Sequence, residues 1–149
     1  MARKKIERIV KEPPLYNSFK PSGVPRRGME NLTLSLDEFE AIKLADYKGF
    51  NHNEASLEMG VSRSTFSRLI VKAREKLATF MIEGKELIIE GGDVHFRDNI
   101  YQCVQCFRKF KKIIDTQIKE CPACGSQDLF DFAGGFGHGK CCRHGNHHT

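Results

Sequence analysis

Two Cys-x-x-Cys pairs, Cys103 with Cys106 and Cys121 with Cys124, stand fourteen residues apart. At this spacing two thiol-bearing turns can converge and place four thiolates around one tetrahedral ion. The second turn, Cys121-Pro122-Ala123-Cys124-Gly125, has a small residue and a glycine where backbone amides must swing towards sulfur. Zn(II) is the expected occupant and iron the alternative, because thiolates accept both and a structural clamp needs no redox partner. Four protein ligands leave no open position for water or substrate, so metal catalysis is not expected here.

A second group of residues lies on a stretch with helical period. Phe66, Leu69, Ile70, Ala73 and Leu77 form one apolar stripe. Opposite it stand Ser64, Arg68, Val71 and Glu75, flanked by Thr65, Ser67 and Lys72, with Arg63 nearer the stripe at the helix start. Short hydroxyls and cations near a helix N-terminus can enter a major groove and hydrogen-bond base edges and phosphates. Arg68 has the reach for a bidentate guanine contact. Charge is also sorted: Val61 to Lys76 holds five basic residues against one acidic, whereas Ser35 to Gly60 holds two basic against six acidic. Solvated surface helices can be basic as well, so composition alone does not decide.

The elements that must carry these residues follow from local signals. Residues 1 to 30 contain eight basic side chains and three acidic ones, so the whole net charge of +5 sits there. Pro13, Pro14, Pro21, Pro25, Gly23 and Gly28 disfavour helix in this segment and predict an extended basic arm. In it Arg3, Lys4, Lys5 and Arg8 would hold a phosphate backbone or reach a minor groove. From residue 31 the pattern turns helical. Ser35 with Glu38 fits a capping box for a helix to about Tyr47, and Asn51 with Glu54 caps a short one that Gly60 stops. Ser62 then caps a helix from Arg63 to about Phe80. Helix, short glycine turn and helix make a helix-turn-helix plan. Leu87-Ile88-Ile89 before Gly91-Gly92 predicts one strand, a small wing or a link, and residues 93–99 a junction.

Around the cysteine pairs the chain is β-prone, and about 35 residues cannot support a core of their own. The ion is expected to supply much of that module's folding free energy. Phe107, Phe110, Phe130 and Phe132 fit packing for this small core better than base stacking, and Arg108, Lys109, Lys111 and Lys112 fit a solubilising run or a phosphate contact. Beyond Ala133 a Gly- and His-rich stretch predicts a flexible tail. His138, Cys141, Cys142 and His144 there are candidates for a second metal or a redox response. His52 is expected to be a surface residue.

The 149 residues, 40% hydrophobic and 29% charged, suit one average domain or two small modules and exclude a large multidomain enzyme. No apolar run approaches a membrane span or a secretion signal, so a cytoplasmic location is expected, with the cysteines as ligands rather than disulfides. No catalytic triad, paired-carboxylate motif or nucleotide fingerprint stands out, and an enzyme is not expected.

Several blocks carry a family resemblance. They are Asn17-Ser18-Phe19-Lys20-Pro21-Ser22-Gly23-Val24-Pro25, the run Leu34-Ser35-Leu36-Asp37-Glu38-Phe39-Glu40-Ala41-Ile42-Lys43-Leu44-Ala45-Asp46, then Met59-Gly60-Val61-Ser62-Arg63-Ser64-Thr65-Phe66-Ser67-Arg68, and Gly84-Lys85-Glu86-Leu87-Ile88-Ile89-Glu90-Gly91-Gly92. In this order, over roughly residues 3 to 92, the chain resembles a prokaryotic domain-of-unknown-function family, number one-three-four. The resemblance implies a DNA-binding protein whose helix-turn-helix is similar to that of sigma factor region four. Some family members carry cysteines where this chain has Ile9 and Val10, so no metal role is expected of the arm. The cysteine region resembles a zinc ribbon, or a rubredoxin-type knuckle.

The expected architecture is α+β. It comprises a basic extended arm over 1–29, a mainly α-helical helix-turn-helix domain with a short following strand over 30–92, a small β zinc ribbon over 98–133 and a flexible tail over 134–149. The expected function is sequence-specific binding of double-stranded DNA in transcription regulation, with structural zinc. A homodimer would suit one short recognition helix, which reads few bases. RNA polymerase is a further expected partner. The alternatives are a rubredoxin-like iron electron carrier and an adaptor of the transcription machinery.

Overall fold

The computed structural model describes residues 8–114 and 116–137, a mixed α/β arrangement of four α-helices and several strands. The chain divides into two units, residues 1–9 with 16–94 and residues 10–15 with 95–149. The two strands β1 (Arg8–Val10) and β5 (Val94–Phe96) pair with each other, and their residues are shared between the units.

In the first unit, β2 (Ser18–Phe19), β3 (Asn31–Leu34) and β4 (Glu86–Ile89) form a sheet with β4 in the centre. β4 pairs antiparallel with β2 and parallel with β3, Leu32 lying beside Leu87 and Leu34 beside Ile89. Two expectations are corrected here. Helix does not begin at residue 31, because Asn31–Leu34 is a strand, and Leu87–Ile89 is a central strand rather than a wing; the proline-rich arm supplies β1 and β2. The physical reason is burial on alternate residues: Leu32 and Leu34 turn inward while Asn31 and Thr33 are exposed, which suits a half-buried strand.

Between β3 and β4 run the helices. α1 (Leu36–Ile42) starts at the expected capping box, with the Glu38 amide donating to Ser35 Oγ and the Ser35 amide donating to Glu38 Oε1 at 2.9 Å. It passes into a π-helical turn, Lys43–Tyr47, closed by the Lys48 amide donating to the Lys43 carbonyl at 2.8 Å. α2 (His52–Met59) has the Asn51–Glu54 capping box and ends at Gly60, whose φ of +67° is a left-handed conformation open to glycine. After Val61, Ser62 caps α3 (Arg63–Glu83), which runs to Gly84, a few residues past the expected end near Phe80. Ala41, Leu44, Ala55, Met59, Phe66, Leu69 and Ile70 close the core among these helices. Leu77, expected in that stripe, is only half-buried.

The second unit is built on an antiparallel sheet in which β6 (Asp98–Cys103) lies between β7 (Lys109–Ile113) and β8 (Leu129–Asp131). The expected junction at 93–99 thus holds β5 and the start of β6. Asn99, 1% exposed, ties the unit together. Its amide donates to Asp131 Oδ1 at 2.7 Å, and its carbonyl accepts from the Ile100 and Ala133 amides at 2.7 and 2.9 Å. A short helix, α4 (Phe132–Gly135), follows β8, so the segment expected to be tail begins in helix. Residues 10–15 join this unit, with the Arg97 and Asp98 amides donating to the carbonyls of Val10 and Lys11. Among the described residues no helix is long and apolar enough to cross a membrane.

Candidate metal centre and nucleic-acid interface

The four predicted cysteines come together. Their sulfurs all lie within 4.8 Å of one another, with Cys103 Sγ 3.5 Å from Cys124 Sγ and Cys106 Sγ 3.7 Å from Cys121 Sγ. Two turns of matched geometry position them. In the first, the Phe107 amide donates to the Cys103 carbonyl at 2.9 Å and the Cys103 amide to the Arg108 carbonyl at 3.0 Å; in the second, Gly125 donates to Cys121 at 2.8 Å and Cys121 to Ser126 at 2.8 Å. Amides also point at sulfur, Cys106 N to Cys103 Sγ and Ala123 N to Cys121 Sγ, each at 3.4 Å. Position five of the first turn is Phe107, at φ +63°, where the second has Gly125 at +77°. A side chain in that left-handed conformation costs about 1–2 kcal/mol.

The electrostatics are those of a cation site. Amide donation from Cys106 holds the Cys103 thiol down at about 6, and the Cys124 amide likewise lowers Cys121. At Cys124 the Ser126 amide pulls downwards, but the Cys103 sulfur, burial and the other thiols outweigh it and push the group up to about 12. Four thiols this close cannot all ionise by themselves; a dication held by Cys103, Cys106, Cys121 and Cys124 would remove the conflict. The donor set therefore fits a four-coordinate soft metal ion, with Cys103 and Cys121 buried and Cys106 and Cys124 exposed.

The predicted DNA-facing residues divide when placed on α3. Arg63, Ser64, Arg68 and Lys72 are exposed. Among the described residues no carboxylate pairs with Arg63, Arg68 or Lys72. Arg74 and Lys76, lower on the same helix, are engaged: Arg74 grips Asp46 with two hydrogen bonds of 2.7 and 3.1 Å, and Lys76 reaches the buried Glu38 at 2.7 Å. Thr65 and Ser67 are half-buried. The Ser62 hydroxyl donates to Thr65 Oγ1 at 2.8 Å, while Ser67 Oγ lies 2.8 Å from His52 Nδ1. His52 also sets its ring edge-on to Phe66, with centroids 5.3 Å apart. It joins α2 to α3 and is not a bare surface residue; its place at the first turn of α2 gave no sequence signal of that role.

Arg8 is ion-paired with the buried Asp37, which also accepts from the Ser35 hydroxyl, so its guanidinium holds the start of α1. Arg3, Lys4 and Lys5, and His138, Cys141, Cys142 and His144, lie outside the described residues.

These features define a mixed α/β chain with a three-helix core in one unit and a four-cysteine cluster in the other. The chain belongs to the family described as "Protein of unknown function DUF134", which it matches over residues 1–97. It is 45% identical over 130 residues to a UPF0251 protein of Chloroherpeton thalassium, covering 85% of this chain and 86% of that one. To a UPF0251 protein of Moorella thermoacetica it is 40% identical over 147 residues, covering 97% and 95%. To UPF0251 protein MMP0619 of Methanococcus maripaludis it is 41% identical over 100 residues, covering 67% and 76%. No solved structure matches the chain.

Proposed function

We propose that this protein binds double-stranded DNA with sequence preference and regulates transcription. In this reading α2, the Gly60 turn and α3 act as a helix-turn-helix similar to that of sigma factor region four. The observation that carries the proposal is the division of cations on α3. Arg74 and Lys76 are consumed by intramolecular ion pairs, whereas Arg63, Arg68 and Lys72 have no ion-pair partner among the described residues and lie near the exposed Ser64. Exposed guanidinium and ammonium groups near the start of a capped helix match base edges and phosphates.

Arg68 reads a guanine, Arg63 and Lys72 hold phosphates, and Arg3, Lys4 and Lys5 add backbone contacts. His52 and the Ser62 cap set the pitch of the reading helix rather than touching DNA. Two copies on paired half-sites would multiply the few bases one helix reads, and RNA polymerase is the machinery such a regulator addresses. Cys103, Cys106, Cys121 and Cys124 hold Zn(II) as a structural ion, with no position open for catalysis.

Titration of genomic fragments at two salt concentrations tests this. The expected result is a preferred sequence whose affinity falls steeply with salt. Arg68→Ala should lower affinity for that sequence about tenfold and relax base preference, while joint replacement of Lys4 and Lys5 by alanine should weaken all sequences alike. Equal, weak binding to every fragment would overturn the proposal. Purified protein carrying its native metal should be colourless; ferric-thiolate absorption would favour the iron electron carrier instead.

A further inference from the structure

The register of the second unit's sheet puts Lys109, Gln102 and Phe130 in one cross-strand row, since Gln102 lies opposite Lys109 on one side and Phe130 on the other. Directly opposed residues share a face of a sheet. Gln102 Nε2 donates to the Phe107 carbonyl at 3.1 Å, which ties the tip of the first cysteine turn to the end of this row. Phe107 is 72% exposed and Phe130 53%. The other two aromatics behave as core packing: Phe110 stacks on Tyr101 with centroids 5.7 Å apart, and Phe132 is 6% exposed.

Phe107 needs a physical reason to be phenylalanine. It occupies the left-handed position that its counterpart turn gives to Gly125, and its ring goes mostly to solvent. Neither backbone preference nor burial favours it there. The turn and the following strand also carry Arg108, Lys109, Lys111 and Lys112, all exposed, with Lys111 paired to Glu12. Two accessible aromatic rings, the Gln102 amide and exposed cationic side chains are the parts of a platform for unstacked bases and their phosphates.

We infer that the Phe107–Gln102–Phe130 face of the four-cysteine unit is a binding surface for single-stranded DNA, distinct from the duplex-reading helix. Bases stack on Phe107 and Phe130, and Arg108 and Lys109 neutralise phosphates. The choice of DNA over RNA rests on the proposal that α3 engages a DNA duplex; the stacking chemistry does not. A chain so equipped would hold a duplex through one unit and a locally opened strand through the other.

The test is fluorescence anisotropy of the full-length, metal-loaded protein with a short oligothymidylate, a matched oligouridylate and the preferred duplex. Phe107→Gly suits the left-handed backbone and removes only the ring, and Phe130→Leu keeps apolar packing against Phe132. Each should retain metal content and duplex affinity while losing about tenfold in affinity for oligothymidylate. Lys109→Ala should flatten the salt dependence of that binding, and Arg68→Ala should leave it unchanged. Undiminished oligothymidylate binding by both aromatic variants would overturn the inference, as would binding of oligouridylate alone or of neither strand. If duplex preference is absent but ring-dependent oligothymidylate binding persists, the helix proposal fails and this one stands.

Discussion

Arg74 of α3 is paired with Asp46 in the π-helical turn that follows α1. Arg74's guanidinium hydrogen bonds hold the Asp46 carboxyl below its usual range, and Asp46 in return raises Arg74. A carboxyl depressed in the folded state stabilises above its unfolded value, and that contribution disappears as pH falls through the folded one. Both side chains are about half-exposed, at 50% and 43%, so the pair contributes only about 0.2–1 kcal/mol. Asp46→Asn should therefore lower the urea midpoint slightly at neutral pH, and the gap from the parent should close as pH falls below the usual aspartate range. A gap that stays constant across this range would show that the pair is not the source. Such partnering was not legible in the sequence, because Asp46 and Arg74 are 28 positions apart and every cation on α3 looks alike until its neighbours are placed.

At the scale of elements, the turn between α2 and α3 is set by Gly60 and Ser62. A Cβ at Gly60 would meet Ile9 Cδ1 at 3.5 Å, an ordinary contact, so the penalty there comes from φ and not from space. Gly60→Ala should cost about 1–2 kcal/mol. Ser62→Ala removes the acceptor for the Thr65 amide at 3.1 Å and should cost about 1 kcal/mol. Equilibrium denaturation followed by circular dichroism reads both, and a neutral Gly60→Ala would argue against a left-handed residue at this turn. The proposal for α3 depends on this joint, because it aims the helix that carries Arg68. The caps were legible because each lies within a few residues of its partner. The strands Ser18–Phe19 and Asn31–Leu34 were not, since their partner strand comes only after three helices.

For the whole molecule, metal should matter unequally to the two units. α1, α2 and α3 lie in the first, and the four sulfurs lie in the second. A strong chelator should unfold the second unit first, changing the Tyr101 contribution to tyrosine fluorescence, isolated by comparison with Tyr101→Phe, while most helical dichroism survives to higher temperature. Simultaneous loss of both signals would mean that the ion holds the entire chain. The same experiment separates a structural metal from an ornament of the surface, since an ion with no folding role would leave both signals in place.

The sequence by itself determined the features whose partners are near in the chain or marked by chemistry: the three helix caps, the Gly60 stop, and the four cysteines as one cluster. Hydrogen-bond caps span three residues, and thiol pairs announce themselves by spacing. Only the tertiary structure decided that Leu87–Ile89 is a central strand, that Arg8 and Arg74 serve the fold while Arg63, Arg68 and Lys72 have no ion-pair partner among the described residues, and that Phe107 and Phe130 are exposed while Phe110 and Phe132 pack. Each of these depends on which distant group comes to rest beside a residue, and residue type alone does not encode that.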